Sequence, residues 1–422
     1  MQTHPEIFDV AVIGGGPAGM MAAGRAAESG ARVVLIEKNS RPGRKLLLTG
    51  NGRCNLTNAE PDARRLVERY GREGKFLFSA FSVFGVAETL GFFERMGVST
   101  KTEESNRVFP KSDRAQDVLS ALLDYTKTGG VTLLTGSSVE GLEVSGGRVV
   151  CARLADGSHV AADSFIVCTG GRSYPKTGST GEGFKWLKAL GHTLTPQRPA
   201  LTPVRVKETW VRDVEGASLT DAGLTAYLDG RNKFHVRGDA VFTRDGLSGP
   251  MVFDISGAIG GLMDTGTVTL SLDLIPDEGT DALDGRMQEM FALNQNRRIK
   301  NCISGFLTPK LAPTYMALAG IDGEERINKL TREERQGLVR FIKGAVLTVS
   351  GLGGFDRAML TKGGVSLKEV DGKTMRSKVV ENLFLAGEVL DLDGPTGGYN
   401  LQICWSTGYV AGKNAAYLAS AR

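Results

Sequence analysis

Hydrophobic and polar positions alternate along this chain in a pattern that changes character twice. Asp9 to Ile13 (DVAVI) is a short β-branched apolar run that stops at three glycines and passes into an alanine-rich stretch closed by Gly30. A second apolar run, Arg32 to Ile36, ends at Glu37, so strand, helix and strand are completed in under 40 residues. That is the opening of a doubly wound sheet. Helical periodicity follows over roughly 76 to 96 and 114 to 127. Val131 to Leu134, Val139 to Val144 and Val149 to Leu154 predict a ribbon turning at Ser145-Gly146-Gly147, and Asp163 to Cys168 predicts a buried strand ending in another glycine pair.

After Gly191 the texture changes, with prolines at 196, 199 and 203. Alternating runs from 200 to 275 predict a small antiparallel β domain, and 280 to 342 is helical and charged. Strand-like runs return at Ala345 to Val349 and Asn382 to Ala386, before a helical tail. The pattern predicts an α/β protein in which residues 1–195 and 350–422 form a discontinuous Rossmann-like domain. Residues 196–275 and 343–349 form an inserted antiparallel β domain, and 276–342 a small helical insert.

Composition narrows the function classes. Glycine supplies 56 of the 422 residues, nearly twice the usual share of roughly 7%, so many turns need unusual backbone. The hydrophobic fraction of 41% and charged fraction of 23% are those of a globular protein. A net charge of +4, spread without blocks of like sign, gives no support to a nucleic-acid partner. The five cysteines, Cys54, Cys151, Cys168, Cys302 and Cys404, are odd in number and far apart, which suits a reducing compartment. His4, His159, His192 and His235 are isolated along the chain, so no metal centre is expected. With no apolar run long enough to span a bilayer and no basic leader before the first strand, the expectation is a soluble cytoplasmic protein without a membrane partner.

Gly14-Gly15-Gly16-Pro17-Ala18-Gly19 fits the dinucleotide fingerprint G-x-G-x-x-G between a strand and a helix. Gly14 permits the tight turn, Gly16 lets a pyrophosphate approach the backbone, and Gly19 allows close contact between helix and strand. The free N–H groups of the helix start and its dipole face the anion. Glu37, with Lys38 beside it, stands where ribose hydroxyls are held, and its carboxylate repels a 2′-phosphate. FAD or NAD fits this site better than NADP. Glycine-rich strand ends recur at Thr169-Gly170-Gly171, at Gly387-Glu388 and at Gly394 to Asn400. A flavin dinucleotide needs contacts along its whole length, and this return of the chain favours FAD.

The segments GRKLLLTGNGRCNLTN (43–58), SYPKTGSTGEGF, FTRDGLSGP, LTKGGV and AGEVLDLDGPTGGYNLQ together resemble the BaiN-like, or aminoacetone oxidase, family of bacterial FAD-binding proteins. The match runs from about residue 8 to 415 and implies a Rossmann-like flavin domain made of the two chain ends, an inserted antiparallel β-barrel-like domain and a small helical unit inserted in turn. The resemblance implies that Arg44 and Lys45 meet the cofactor's phosphates and that Thr49 to Asn55, including Gly52, Arg53, Cys54 and Asn55, wraps the flavin. It also implies that Val139 offers backbone to adenine and that Thr169 to Gly171 lines the dinucleotide. At the C-terminal strand similar flavoproteins carry Gly-Asp; here Gly387-Glu388 is followed by Asp391 and Asp393, and any of the three acids is a candidate to hold the ribityl chain. Gly397, Gly398, Tyr399, Asn400 and Leu401 offer N–H groups to the flavin's pyrimidine edge. The family more often has histidine at position 244, where this chain has Arg244, and no catalytic residue is assigned.

Cys54 lacks a partner cysteine four or five residues away, so a flavin–disulfide relay is disfavoured and a packing role expected. Cys404 is read as core rather than a covalent flavin link. Tyr174, Tyr399 and Trp405 either frame a substrate or pack the core, and Arg297, Arg298 and Lys300 read as a solvated basic face. The expected function is an FAD-dependent oxidoreductase exchanging hydride between a small organic substrate and the flavin. NADPH or NADH as a transient electron donor for reduction of an enone-like substrate is favoured over oxidation of a small amine by oxygen. A flavoprotein acting on RNA and a non-catalytic flavin-binding protein complete the alternatives.

Overall fold

β1 (Phe8–Ile13), α1 (Pro17–Glu28) and β2 (Val33–Glu37) form the unit that the opening pattern predicts. The computed structural model describes residues 7–421, so His4 lies outside the described residues. β1 and β2 pair in parallel, with Val10 opposite Val33 and Ile13 opposite Ile36. Every residue of β2 is buried, because a parallel sheet is covered on both faces and its strands read as unbroken apolar runs. α2 (Ala115–Thr128) leads to β3 (Thr132–Thr135), which adds in parallel to β2.

The ribbon at Ser145-Gly146-Gly147 is an antiparallel hairpin of β4 (Val139–Ser145) and β5 (Arg148–Leu154). β6 (His159–Val167) pairs with β1 along one edge. Its other edge is divided: the first residues take β5, and Phe165 to Val167 take β7 (Leu383–Leu385) in parallel. This seven-stranded sheet therefore joins the two ends of the chain. Asn382 fixes the junction, its buried amide donating to the carbonyls of Val149 and Asp163 and accepting the Val149 N–H.

The tail forms α3 (Tyr399–Ser420), which packs on α1. Gly408 and Gly412 make the approach possible: a Cβ at either would stand 2.4 Å from the Ala18 carbonyl oxygen or 2.2 Å from that of Ala22. The helical pattern over 76 to 96 is broken into Phe78–Val83 and Val86–Arg95. Gly85 starts the second piece, with its N–H bonded to the Glu88 carboxylate at 2.9 Å.

The described residues divide into two compact units, the first running to Arg198 and resuming at Ala358, the second spanning Pro199–Arg357. In the second, six strands close into a barrel: Val204–Val206, Gly246–Ser248, Arg231–Thr243, Ser218–Leu228, Val268–Asp273 and Ala345–Leu352. Alternate residues such as Leu270, Leu272 and Leu347 are wholly buried, as period-two strands with one wet face require. The helix Pro250–Met263 follows the strand Gly246–Ser248, inside the stretch that reads from sequence as an antiparallel β domain; its run of apolar residues and small glycines hides the 3.6-residue period. Helices Thr280–Ala292 and Arg332–Gly344 pack in the same core. Among the described residues no single helix is long and apolar enough to cross a membrane.

Candidate functional site: a dinucleotide cleft at the strand ends

β1, β6 and β7 run in parallel and end side by side, and each continues into a glycine turn. Ligands of open α/β sheets bind outside such carboxyl ends. The three turns line one cleft with about 1300 Å³ of atom-free space, its open mouth included.

Gly14, Gly16, Pro17 and Ala18 form the first wall. Gly14 has φ +104°, and a Cβ there would stand 2.5 Å from the Cys168 carbonyl oxygen. Gly19 is the contact with the turn itself, its virtual Cβ only 1.8 Å from the Gly14 oxygen. At Gly16 a Cβ would meet nothing within 4 Å, so this position opens into the space of the cleft. Gly16 also starts α1, and no side chain caps the helix, leaving its first-turn N–H groups to a ligand.

Glu37 is buried and lines the same wall. One carboxylate oxygen accepts the Gly15 N–H at 2.8 Å; the other accepts both the backbone and side-chain N–H of Asn39, at 2.7 and 2.6 Å. Lys38 lines the cleft and donates to Glu182 at 2.7 Å and to Thr180 at 2.8 Å. Arg44 donates to Asn39 at 2.9 Å. Lys45 turns its ammonium to Glu388 at 2.7 Å and to Ser173 at 2.9 Å. The second Glu388 oxygen accepts from Ser173 and from the Thr361 N–H. Glu388, of the three candidate acids, lines the cleft. Burial raises the pKa of Asp391 outside that wall, and Asp393 pairs with Lys362.

Val139, Thr169, Gly170, Gly387, Asn400 and Leu401 line the cleft as well. Gly171 packs against Thr361 and Glu388. Gly52, Arg53, Cys54 and Asn55 stand outside the cleft wall, whereas Thr49, at the head of their segment, is part of it. Arg53 instead joins Glu103 and Asp113 and stacks 3.9 Å from the centre of the Phe109 ring. Burial pushes the Cys54 thiol up to about 12, and Cys404, on the cleft wall, likewise up to about 12. Both are protonated at neutral pH.

The segments around Asn55 and Gly398 bind each other. The Asn55 amide accepts the Gly398 N–H at 3.1 Å, Thr57 donates to Gln402 at 2.6 Å, and the Trp405 indole N–H donates to the Leu56 carbonyl at 2.9 Å. Gly397 carries the carbonyl that Asn58 holds. Tyr399 is buried edge-on against Tyr70, which donates to its carbonyl, and Trp405 is wholly buried; both are core aromatics. Tyr174 is half-buried at φ +52°. Asn39, Ser137, Ser179, Thr180, Glu182 and Trp186 also line the cleft and are absent from the sequence-derived set. The polar, glycine-rich run SYPKTGSTGEGF after the second glycine pair was the signal for Ser179, Thr180 and Glu182.

These residues fit an FAD. The open space at Gly16, the uncapped start of α1, the buried carboxylate of Glu37 and the buried, unpartnered hydroxyl of Thr169 supply an anion cradle, a ribose acceptor and a free polar atom on one wall.

The family model described as HI0933-like protein Rossmann domain matches residues 8–414. The chain is 34% identical over 410 residues to the 3-dehydro-bile acid delta(4,6)-reductase of Clostridium scindens, covering 96% of this chain and 98% of that one. It is 28% identical over 411 residues to the ribosomal RNA dihydrouridine synthase of Escherichia coli, covering 97% and 98%. Among solved structures it is similar to the 3-ketosteroid delta1-dehydrogenase from Sterolibacterium denitrificans in complex with 1,4-androstadiene-3,17-dione, at a TM-score of 0.55 and 12% identity over 99% of this chain and 100% of that one. An open flavocytochrome c3 fumarate reductase gives a TM-score of 0.53 at 18% identity, over 98% and 79%. At these identities the structural likeness is one of fold.

Proposed function

The chain belongs to the HI0933-like family of FAD-binding Rossmann oxidoreductases, and on that premise we propose that it reduces a carbon–carbon double bond conjugated to a carbonyl in a small organic molecule, with NADPH or NADH as donor. The observation that carries this reading is the full-length similarity to a protein named as a reductase of an unsaturated 3-dehydro bile acid. FAD, when bound, carries two electrons as hydride between donor and acceptor. The donor loses hydride; the acceptor gains hydride at one alkene carbon and a proton at the carbon next to the carbonyl.

The chain's own residues hold and orient. Gly14 to Gly19 take the pyrophosphate, Glu37 the ribose hydroxyls, and Val139 the adenine end. The Lys45–Glu388 pair fixes the floor between the first and last glycine turns. The one dinucleotide fingerprint is taken by FAD, so the nicotinamide and the substrate use the flavin face in turn. All five cysteines are free, which supports a reducing, cytoplasmic setting.

A second reading places the same reduction on the uracil ring of an RNA, whose 5,6 double bond is also conjugated to a carbonyl. The Escherichia coli relative favours it, as does an excess of cations in one pocket of the barrel unit, where Arg205, Lys207, Arg212 and Arg244 stand with Glu208 and Asp245. Cationic side chains in such number suit phosphates.

Anaerobic mixing tests both. Under the first reading NADPH or NADH bleaches the flavin absorption, and a panel of cyclic enones restores it. Restoration by uridine-containing RNA alone, with salt-sensitive RNA retention, favours the second. No bleaching by either nicotinamide, with bleaching by a small amine and return on admitting oxygen, overturns both and makes the protein an amine oxidase.

A further inference from the structure

Glutamate, cysteine and histidine meet on one face of the antiparallel ribbon built by β4, β5 and the start of β6. Glu143 stands directly opposite Cys151 in the β4–β5 pairing. β6 brings in His159 opposite Arg153, two residues along the strand from Cys151 and therefore on the same face. The Glu143 carboxylate lies 3.2 Å from Cys151 Sγ through one oxygen and 3.3 Å from His159 Nε2 through the other. One ligand atom from each of the three lies within 4.8 Å of the others.

Sequence spacing conceals this cluster, because each residue sits on a different strand, and the sequence-based expectation assigns no histidine to a metal set. Zinc bonds of about 2.3 Å to sulfur and about 2.0–2.1 Å to nitrogen and oxygen place tetrahedral ligand atoms roughly 3.3–3.6 Å apart. Each carboxylate oxygen stands close to that separation from one partner, Oε2 from Cys151 Sγ and Oε1 from His159 Nε2.

We propose that Glu143, Cys151 and His159 form a binding site for a zinc-class divalent cation. A thiolate and an imidazole nitrogen select borderline-soft ions over Mg²⁺ or Ca²⁺. The carboxylate and thiolate together neutralise the ion's charge. Glu143 and His159 are each about half exposed, 48% by side chain, so the fourth position faces solvent and takes water. Arg153, opposite His159 on the ribbon, is held by Glu140 at 2.7 Å. On binding, the S–H bond of Cys151 breaks, the sulfur–metal bond forms and the proton leaves to solvent. The ion ties together three strands, the first of which begins at Val139 on the cleft wall. Its role is to brace that ribbon.

The test uses untagged, FAD-loaded protein freed of metal with a chelator and titrated with Co²⁺ alone, then displaced with Zn²⁺ alone. One equivalent of Co²⁺ gives the intense visible bands of a four-coordinate site, beyond the flavin absorption. Cys151→Ser abolishes them, and His159→Gln weakens Zn²⁺ binding at least about tenfold. Unchanged flavin content and circular dichroism in both variants show that the fold is retained; if either variant misfolds, protection of Cys151 from alkylation by Zn²⁺ in the unaltered protein replaces it. Weak six-coordinate bands, bands that survive Cys151→Ser, no protection of Cys151, or a zinc affinity poorer than about 1 µM overturn the proposal. None of these readouts depends on hydride transfer, so the outcome is independent of the proposed reaction.

Discussion

Lys45 Nζ lies 2.7 Å from Glu388 Oε2 and joins parts of the chain 343 residues apart. Their side chains keep only 21% and 12% of their exposure. The same carboxylate accepts from Ser173 Oγ and the Thr361 N–H, so four segments converge on one negative charge. Removing one partner of a buried pair costs roughly 3–5 kcal/mol, and residual solvent access lowers this to about 1–3. Glu388→Gln is therefore expected to lower the unfolding free energy by that amount, with a lower urea midpoint, and to weaken FAD retention. The double change Lys45→Met with Glu388→Leu recovers much of the stability, since no lone charge is left. Denaturation curves of the three proteins, with flavin release followed by fluorescence, check this.

Gly16 and Gly19 separate cofactor binding from folding. A Cβ at Gly16 enters the open cleft, so Gly16→Val leaves the melting temperature of the apoprotein within a few degrees but lowers FAD affinity at least about tenfold, or ~1.4 kcal/mol. At Gly19 the new carbon collides with the Gly14 backbone at 1.8 Å. Gly19→Val is expected to yield little soluble protein. Equal losses of FAD from two equally stable variants would count against the assignment of the cradle.

The hairpin at Ser145-Gly146-Gly147, the β1–α1–β2 unit and the glycine-ended strands are legible in the sequence because their signals are local: a run, a turn, a run. Long-range packing decides the rest. Arg53 and Cys54 sit in a segment that resembles a cofactor wrap, yet Arg53 turns to Glu103 and Asp113, and these partners come from loops that no local period announces. The motifs around Asn55 and Gln402 look like flavin contacts in sequence; in the structure they also hold each other through Thr57 and Trp405. Positioning the start of α3 demands those residue types before any ligand is considered. Glu143, Cys151 and His159 were invisible for the same reason, being brought together by register alone.

Two helical glycines make a contrasting pair. In α3, Gly412→Ala gains about 1 kcal/mol of helix propensity, but its methyl meets the Ala22 carbonyl at 2.2 Å. A backbone atom cannot rotate away, so overpacking of about 1–3 kcal/mol or more wins and the protein is destabilised. Gly285, inside the helix Thr280–Ala292, has nothing within 4 Å of its virtual Cβ. Gly285→Ala is expected to stabilise the barrel unit by about 0.5–1 kcal/mol. Thermal scans of both variants should move in opposite directions.

His192 makes stability fall in mild acid. Its ring is buried, with Nε2 2.8 Å from Ser377 Oγ and Nδ1 3.2 Å from the Leu187 carbonyl oxygen. Burial lowers its pKa below 6.5, outweighing the opposing pull of the Leu187 carbonyl and of Glu369. The unfolded chain, with an ordinary histidine near 6.5, then binds a proton that the folded protein refuses. The contribution of neutral His192 is complete above pH about 6.5, declines as the pH drops through that value, and is exhausted below the depressed folded pKa. His192→Gln keeps a hydrogen-bonding side chain without the titration. The difference in unfolding midpoint between pH 7.5 and pH 5.5 is expected to shrink in this variant, and an unchanged difference would assign the acid sensitivity to other groups.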